Sequence, residues 1–583
     1  MMIQYKWKIL LQLIIISLLA GCGYITEEEY LPRYFNDLDN PYITDIYPPE
    51  GSTLNSLEYI DVTYSEPVLG ADILDNYTLN GSGLGSVSIN DITKLSDNKY
   101  RISLSGSPSD SEVTLTINNI TDLNENLLSE EVFTYQMDLT GPSVVATPTN
   151  GSKVDSLTQI DIQYSESVMG ADILSNYSLS GPGIGTLVLS SITEIGANKY
   201  RLTLTGTPGY SQIVLTISNV YDGVGNALTG NTITYTGWWN TDWQYRRKLV
   251  FDNSGQTKNL IDFPVLVKLN SSRINYSSTQ DNGEDIRFVD PDGTVLSYEI
   301  ESWDESGDSI VWVKVPQIDG GSTTDYIWMY YGNPSVTDGQ NASDVWSNGY
   351  ELVMHLDETS GNFEDSTGNV HYGQAFGGVT RGADGKIGKA VSFDGSSGYI
   401  ALNMKYTGPN VIPELTVNVW FNTSFVYSGT VGTLDNTNWS FVDFDRSDFY
   451  DFYITGKSGV LEFSTTASST DDFPASTTGL NNGSWHLGWA VYYGNDKIIY
   501  LNGTQDAIME NAHSGTAIGI SSTRWGFIGD GSEATAFNGT RNNIYYDGYL
   551  DEVRISSVAR SAAWIAAQYL SMNDSFITFG EEE

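Results

Sequence analysis

Residues 51–85 align with residues 151–185 without a gap, and 21 of the 35 positions are identical. IDVTYSEPVLGADILDNYTLNGSG returns as IDIQYSESVMGADILSNYSLSGPG. The register persists through Asn98-Lys99-Tyr100-Arg101 and Asn198-Lys199-Tyr200-Arg201, and again at Asp122 and Asp222. A self-match at a spacing of 100 residues means two copies of one structural unit, placed at 43–140 and 141–237. Within the first copy apolar side chains alternate, as in Ile60, Val62 and Tyr64, in Tyr100, Ile102 and Leu104, and in Val113, Leu115 and Ile117. Period-two runs separated by Gly, Pro and Asn turns predict short antiparallel strands packed as a β-sandwich.

The repeats resemble the bacterial Ig-like domains of surface-layer proteins. The resemblance rests on the openings PPEGST and PTNGSK, the strands TYSEPV and QYSESV, and the closures DLNENL and DGVGNAL. It implies spacer or adhesive modules. The pairs Asp122/Asn126 and Asp222/Asn226 could offer oxygens to a hard cation such as Ca2+. An Asx-stabilised turn is the preferred reading, because no cluster of carboxylates surrounds them in the sequence.

The first residues address the chain to a compartment. Lys6 and Lys8 precede an apolar run, Ile9 to Leu19, that is too short for a stable spanning helix. The run ends in Leu19-Ala20-Gly21-Cys22, which resembles a bacterial lipoprotein signal. That resemblance implies removal of residues 1–21 and lipidation of Cys22, the chain's one cysteine. A plain secretory signal is the alternative. No intrachain disulfide is possible, so the domains depend on their cores. Residues 22–42, with Glu27-Glu28-Glu29 and Pro32, read as an acidic tether. Position 23 is Gly rather than Asp, so the expected location is the bacterial outer membrane or cell surface, held through the lipid. The net charge of −44 excludes nucleic acid as a partner and argues against an anionic membrane bound by charge alone.

A third domain is expected over 238–346. It carries Trp243, Tyr245, Arg246 and Arg247, the segment DIRFVDPDG, Glu299-Ile300-Glu301-Ser302-Trp303, WVKVP from Trp312, and YYGNP from Tyr330. These resemble a bacterial domain of unknown function found beside MotA/TolQ/ExbB proton-channel proteins, and its alternation predicts a further β-sandwich. Arg246 and Arg247 could clamp a carboxylate ligand. In a domain this acidic, a structural pairing with Glu299, Glu301 or Asp285 is the preferred reading.

Residues 347–583 form the last expected domain. ELVMHLDETSGNFEDSTGN, SWHLGWAVYYGNDKIIYLNGT and GYLDEVRISSVARSAAWIAAQY resemble the bacterial laminin G-like, concanavalin A-like jelly roll. Asn502-Gly503 signals a hairpin, and Ser561 to Tyr569 a capped helix. The resemblance implies a structural Ca2+ with Asp551 as a ligand and Asp365 as a second candidate; a strand-end hydrogen bond is the alternative for Asp551. Glycan hydrolases of this superfamily carry Glu-x-Asp-x-x-Glu, which is missing here. Asp443 and Asp445 alternate so that they could share a strand face, with Asp448 and Asp451 close by, whereas the adjacent Asp551 and Glu552 should face opposite ways. Trp439, Phe449, Tyr450 and Tyr453 could stack on sugars, though individually they read as core. His355, His371, His486 and His513 have no nucleophile or metal motif around them.

The sequence therefore predicts an all-β chain of tandem Ig-like β-sandwiches, a further β-sandwich and a terminal concanavalin A-like jelly roll. The expected function is binding of a carbohydrate or surface protein, with Trp439, Asp443, Asp445 and Tyr450 as ligand-binding residues and no catalytic set. A jelly-roll polysaccharide hydrolase using Asp443 and Asp445, or a purely structural envelope protein, are the alternatives.

Overall fold

The computed structural model describes residues 38–427, 438–494, 496–520 and 522–583. Cys22, the signal and most of the tether lie outside the described residues. The chain is almost wholly β and divides into two compact units, one ending at Trp238 and the other beginning at Trp239. Among the described residues, no helix is long and apolar enough to cross a membrane.

The first unit holds the two repeats. In the first, one sheet has the order Ile43–Tyr47, Tyr59–Tyr64, Lys99–Ser105, Ser88–Ser96. The facing sheet has the order Thr53–Leu54, Glu131–Met137, Ser111–Ile117, Tyr77–Asn80. The second repeat reproduces both orders with strands from Val144–Thr147 to Thr232–Gly237. Alternation sets which side chains face inward: Val113, Leu115 and Ile117 are buried, and Glu112, Thr114 and Thr116 are not. Each repeat has its own core, and the same devices recur in both. Tyr64 and Tyr77 share a hydroxyl hydrogen bond of 3.0 Å, Tyr164 and Tyr177 one of 2.8 Å. Arg101 grips Asp61 with two bonds of 2.7 and 2.9 Å, Arg201 grips Asp161 at 2.6 and 2.8 Å. Asp122 and Asp222 each close an Asx turn, accepting from the backbone and side-chain amides of Asn126 and Asn226.

Among the described residues, the second unit is built of four sheets. A five-stranded sheet runs Val295–Leu296, Arg287–Val289, Tyr326–Tyr331, Tyr245–Phe251, Ile577–Glu582. Its partner is a three-stranded sheet, Leu260–Leu269, Ser309–Ile318, Tyr298–Ser302. Two eight-stranded sheets follow and enclose the largest core, which holds Val417, Val419, Phe441, Phe452, Leu550 and Val553. The three-stranded sheet is apolar on both faces. Val311, Val313 and Val315 join the core shared with the five-stranded sheet, whereas Ile310 and Trp312 pack with Trp420 and Trp489 on the back of an eight-stranded sheet.

The expected boundary at 346/347 is crossed twice. The helix Ala562–Met572, capped by Ser561 Oγ accepting from Trp564 N at 3.3 Å, puts Trp564 and Ala567 into the core of the preceding domain. The strand Ile577–Glu582 then pairs with Tyr245–Phe251, more than 300 positions earlier. Arg246 and Arg247 find their partners there. Arg246 donates to Glu583 at 2.9 and 2.6 Å and lies 3.9 Å over the Trp328 ring, and Arg247 donates to the Gly580 carbonyl at 3.0 Å. All three bonds go to the returning strand or the residue that follows it rather than to the acids expected. Asp285 instead accepts from backbone amides, including Gly332 at 2.6 Å and Asn333 at 3.0 Å.

Candidate functional site

The acid-rich stretch 443–451 forms a hairpin between the strands Asn438–Asp443 and Tyr450–Thr455, with Asp443 directly opposite Asp451. It does not form a surface. Asp443 and Asp445 are each 1% exposed. Asp443 Oδ2 accepts from Ser532 N at 2.7 Å, and its Oδ1 is buried with no partner. Burial first, then the charge of Asp451, push the Asp443 carboxyl well above its ordinary range. Asp451 accepts from Ser440 Oγ at 3.1 Å and leaves its Oδ1 unpaired; burial pushes it up to about 8. Asp445 follows the strand at φ 69°, a left-handed conformation that ends the alternation assumed from the sequence. It pairs with Arg524, which also holds Asp448.

The predicted aromatic platform is not one. Tyr450 is fully buried against Tyr406 and Phe444 in the inter-sheet core. Phe449 and Tyr453 are buried too. Trp439 is half-buried, edge-on to Phe425 at 5.0 Å and pressed over Gly456. Asp443, Asp445 and Tyr450 are thus corrected from surface ligand residues to interior ones, and Trp439 is packed against Phe425 and Gly456 rather than standing free. Rings flanked by acids look amphipathic in sequence, but Tyr450–Thr455 is an inner strand whose two alternating faces are both buried.

The two expected Ca2+ ligands fit that ion poorly. Asp551 is fully buried, with Oδ2 accepting from the backbone amides of Lys386 at 2.8 Å and Ile387 at 2.9 Å. Asp365 accepts from Val353 N, Thr367 N, Thr367 Oγ1 and His371 N. Asp365 meets donors on both oxygens and Asp551 on Oδ2, with its Oδ1 buried and unpaired, whereas Ca2+ needs a shell of six to eight oxygens. The alternative reading of Asp551, a strand hydrogen bond, matches this geometry.

A group that sequence reasoning missed lies where the three-stranded sheet meets the back of the eight-stranded one. Leu550 and Val553 both enter the inter-sheet core although three positions apart. Glu552 sits at φ 55°, and the pairing with Glu414–Asn422 shifts register there. This bulge turns Asp551 and Glu552 away from the core together, against the opposite faces expected of neighbours. From the other sheet, Glu299 and Glu301 alternate on Tyr298–Ser302 and project toward the same place.

Between them stands His355. Its Nδ1 is 2.7 Å from Glu552 Oε1 and 3.3 Å from Glu301 Oε2, and its Nε2 is 3.3 Å from Glu299 Oε2. Glu299 also accepts from Trp346 Nε1 at 2.5 Å and Ser366 Oγ at 2.6 Å. Trp312 Nε1 donates to Glu301 at 2.7 Å, and Arg554 donates to Glu552 through Nε at 2.9 Å. The Arg554 guanidinium is stacked between rings, 4.2 Å from Trp312 and 4.4 Å from Trp346. Burial opposes a charged imidazole, but Glu552, Glu301 and Glu299 hold His355 well above its ordinary range. Burial also pushes Glu301 well up, while Glu552, for all its burial, is drawn down to about 2 by Arg554 and His355. The legible signal was Glu-x-Glu on a strand opposite a Trp.

A second acidic group, Asp138, Glu166 and Asp222, lies at the join of the repeats. Asp222 is already filled by three backbone amides and the Asn226 side chain. An open cleft among the described residues has a volume of about 600 Å³. Tyr493, 58% exposed, stands on it with Glu414, Asp496, Glu510 and Asn511.

No curated protein matches the chain in sequence. Among solved structures, the binding domain of Paraclostridial Mosquitocidal Protein 1 is 13% identical over 39% of this chain and 53% of its own, with a TM-score of 0.31. The binding domain of Botulinum neurotoxin DC in complex with rat synaptotagmin II is 11% identical over 39% and 52%, with a TM-score of 0.29. The chain spans about half the length of the solved structures it matches. Two family profiles match segments of it. Residues 282–369 are similar to DUF2341, a domain of unknown function, and this span contains Glu299, Glu301 and His355. Residues 394–566, which contain Glu552 and Arg554, are similar to Laminin_G_3, the concanavalin A-like lectin/glucanases superfamily.

Proposed function

We propose that this is a lipid-anchored surface protein that binds glycan through its concanavalin A-like domain, with the two Ig-like repeats as spacer. The observation that carries the reading is the open cleft beside Tyr493. An exposed ring flanked by carboxylates and an amide supplies the stacking face and hydroxyl partners that a saccharide takes. The anchor is supported by Leu19-Ala20-Gly21-Cys22 and the lectin-like fold by the match over 394–566. Binding is favoured over hydrolysis because Asp443 and Asp445 are buried, and Asp445 is tied to Arg524. The cleft is lined by acids in a chain of net charge −44, so the ligand is a neutral saccharide rather than a sulfated one.

An array of neutral and sulfated glycans and matrix proteins, probed with the full chain, tests this. The expected result is a neutral saccharide signal lost in Tyr493→Ala. A hit that Tyr493→Ala leaves intact moves the site elsewhere. A flat array leaves a structural envelope role, and turnover of a glycan abolished by Asp443→Asn establishes the hydrolase.

A further inference from the structure

We propose that Glu301, His355 and Glu552 form a buried site for a divalent transition cation of the Zn2+ class, joining the domain of unknown function to the lectin-like domain. One ligand atom from each lies within 4.8 Å of the others. Three sequence-distant segments supply them: the strand Tyr298–Ser302, the residue after Tyr350–Met354, and the bulge in Asp547–Ser556.

The distances suit such an ion. Two ligands of a tetrahedral centre with bonds of about 2.0–2.1 Å stand about 3.3 Å apart. Nδ1 of His355 is 3.3 Å from Glu301 Oε2, and its 2.7 Å contact to Glu552 Oε1 needs only a modest opening.

The surroundings are those of ligands already oriented. Metal-bound imidazoles pass their second nitrogen to a carboxylate, and ligating carboxylates are themselves hydrogen-bonded. His355 turns Nε2 to Glu299, which Trp346 and Ser366 hold in place. Glu301 is steadied by Trp312 and Glu552 by Arg554. The independent sign of a missing partner is Glu301 Oε1. Its side chain is fully buried, yet this oxygen has no hydrogen bond. Asp551 Oδ1, one residue from Glu552, is buried and unpaired as well. An orphaned buried carboxylate oxygen is costly, and a cation satisfies it where no donor does. The nitrogen ligand separates this site from an all-oxygen Ca2+ site. The Glu301 and Glu552 side chains are fully buried and that of His355 is 7% exposed, so solvent is kept from the ion, its role is structural, and it enters as the unit folds.

The test uses the full-length protein purified in detergent and refolded with Zn2+ or Co2+. One Zn2+ per chain should survive gel filtration, and the Co2+ form should show the visible bands of a four-coordinate centre. Glu301→Gln, which keeps the side-chain volume, should lose the metal. Glu299→Gln should weaken it by about 10–100-fold. Glu166→Gln, at the other acidic group, should load fully. A wild-type protein that elutes without metal overturns the proposal, as does a Glu301→Gln protein that keeps it. Should Glu301→Gln not fold, the wild-type Co2+ spectrum decides: the bands support the site, and their absence rejects it.

Discussion

The two units solve the same problem in opposite ways. Each repeat closes a core from one contiguous stretch of about 95 residues, and a copy 100 positions later does so again with the same Tyr–Tyr and Arg–Asp pairs. The unit from Trp239 onward threads its domains through one another, lending a helix and a strand back to the sheets where it began. A repeat has only to be self-sufficient, and its charged pairs sit at the rim. The interlocked unit puts charge at its centre, between two sheets. The difference shows that duplication favours independence, while a shared interface lets buried ionisable groups accumulate.

The largest break in this contrast is a chain ending at Asp574. It loses the Ile577–Glu582 edge strand and the Arg246–Glu583 pair. The lost burial of Phe576, 1% exposed in the core, alone costs about 2–3 kcal/mol. Calorimetry should show the transition of the second unit collapse while that of the repeats stays put. Equal losses in both transitions would dissolve the distinction.

Acidity should tilt the two units differently. The Asp443 and Asp451 carboxyls titrate far higher folded than unfolded, Asp451 at about 8. Such a group binds more protons in the native state, so its stabilisation is present at low pH and is lost as pH rises from about 4 toward 8. The slope is at most about 1.4 kcal/mol per pH unit per proton. In the repeats, Asp61 and Asp161 are held below their ordinary value, first by hydrogen bonds from Arg101 and Arg201. Their contribution is present above about pH 4 and lost only below it. Between pH 5 and 8 the second transition should fall while the first is level, and Asp451→Asn should flatten the fall. An unchanged slope in that variant would assign it to other groups.

Trp346→Phe keeps one aromatic ring, removes the indole N–H that donates to Glu299 and gives up part of a fully buried side chain. A buried carboxylate oxygen left short of one bond costs about 1–3 kcal/mol, read as a lower melting point of the second unit alone. The smallest effect sharpens the comparison inside the repeats. Arg101 lies 3.8 Å over the Tyr59 ring, whereas position 159 is Gln. Arg101 and Arg201 are part exposed, so Asp61→Asn and Asp161→Asn should each cost about 0.5–1 kcal/mol. Chemical denaturation of the isolated single substitutions should find them alike within a few tenths, with any excess at Asp61 belonging to the stacked ring.

The repeats were legible because alternation and identity both survive in a linear string: Ile60, Val62 and Tyr64 announce their face. The helix after Ser561 was legible from its cap and spacing. What the string hid depends on partners far away. ITFGEE carries no mark of the strand it joins. Asp445 and Glu552 occupy left-handed backbone that non-glycine residues seldom adopt, so reading them by strict alternation put the wrong faces together. The Glu299–Glu301 pair did alternate as read, but its partners were a histidine 54 and more positions on and a bulge beyond residue 550.

The returning strand also imposes an order in time. Tyr245–Phe251 is made early, but its neighbour Ile577–Glu582 leaves the ribosome only after more than 300 further residues. At roughly 5–20 residues per second, that interval is at least about 15 s. During it the sheet has an unpaired edge, which is the template for aggregation in any chain left waiting. Closure of the sheet therefore waits on residues 577–582, and a chain cut short before residue 577 keeps the edge it cannot cover.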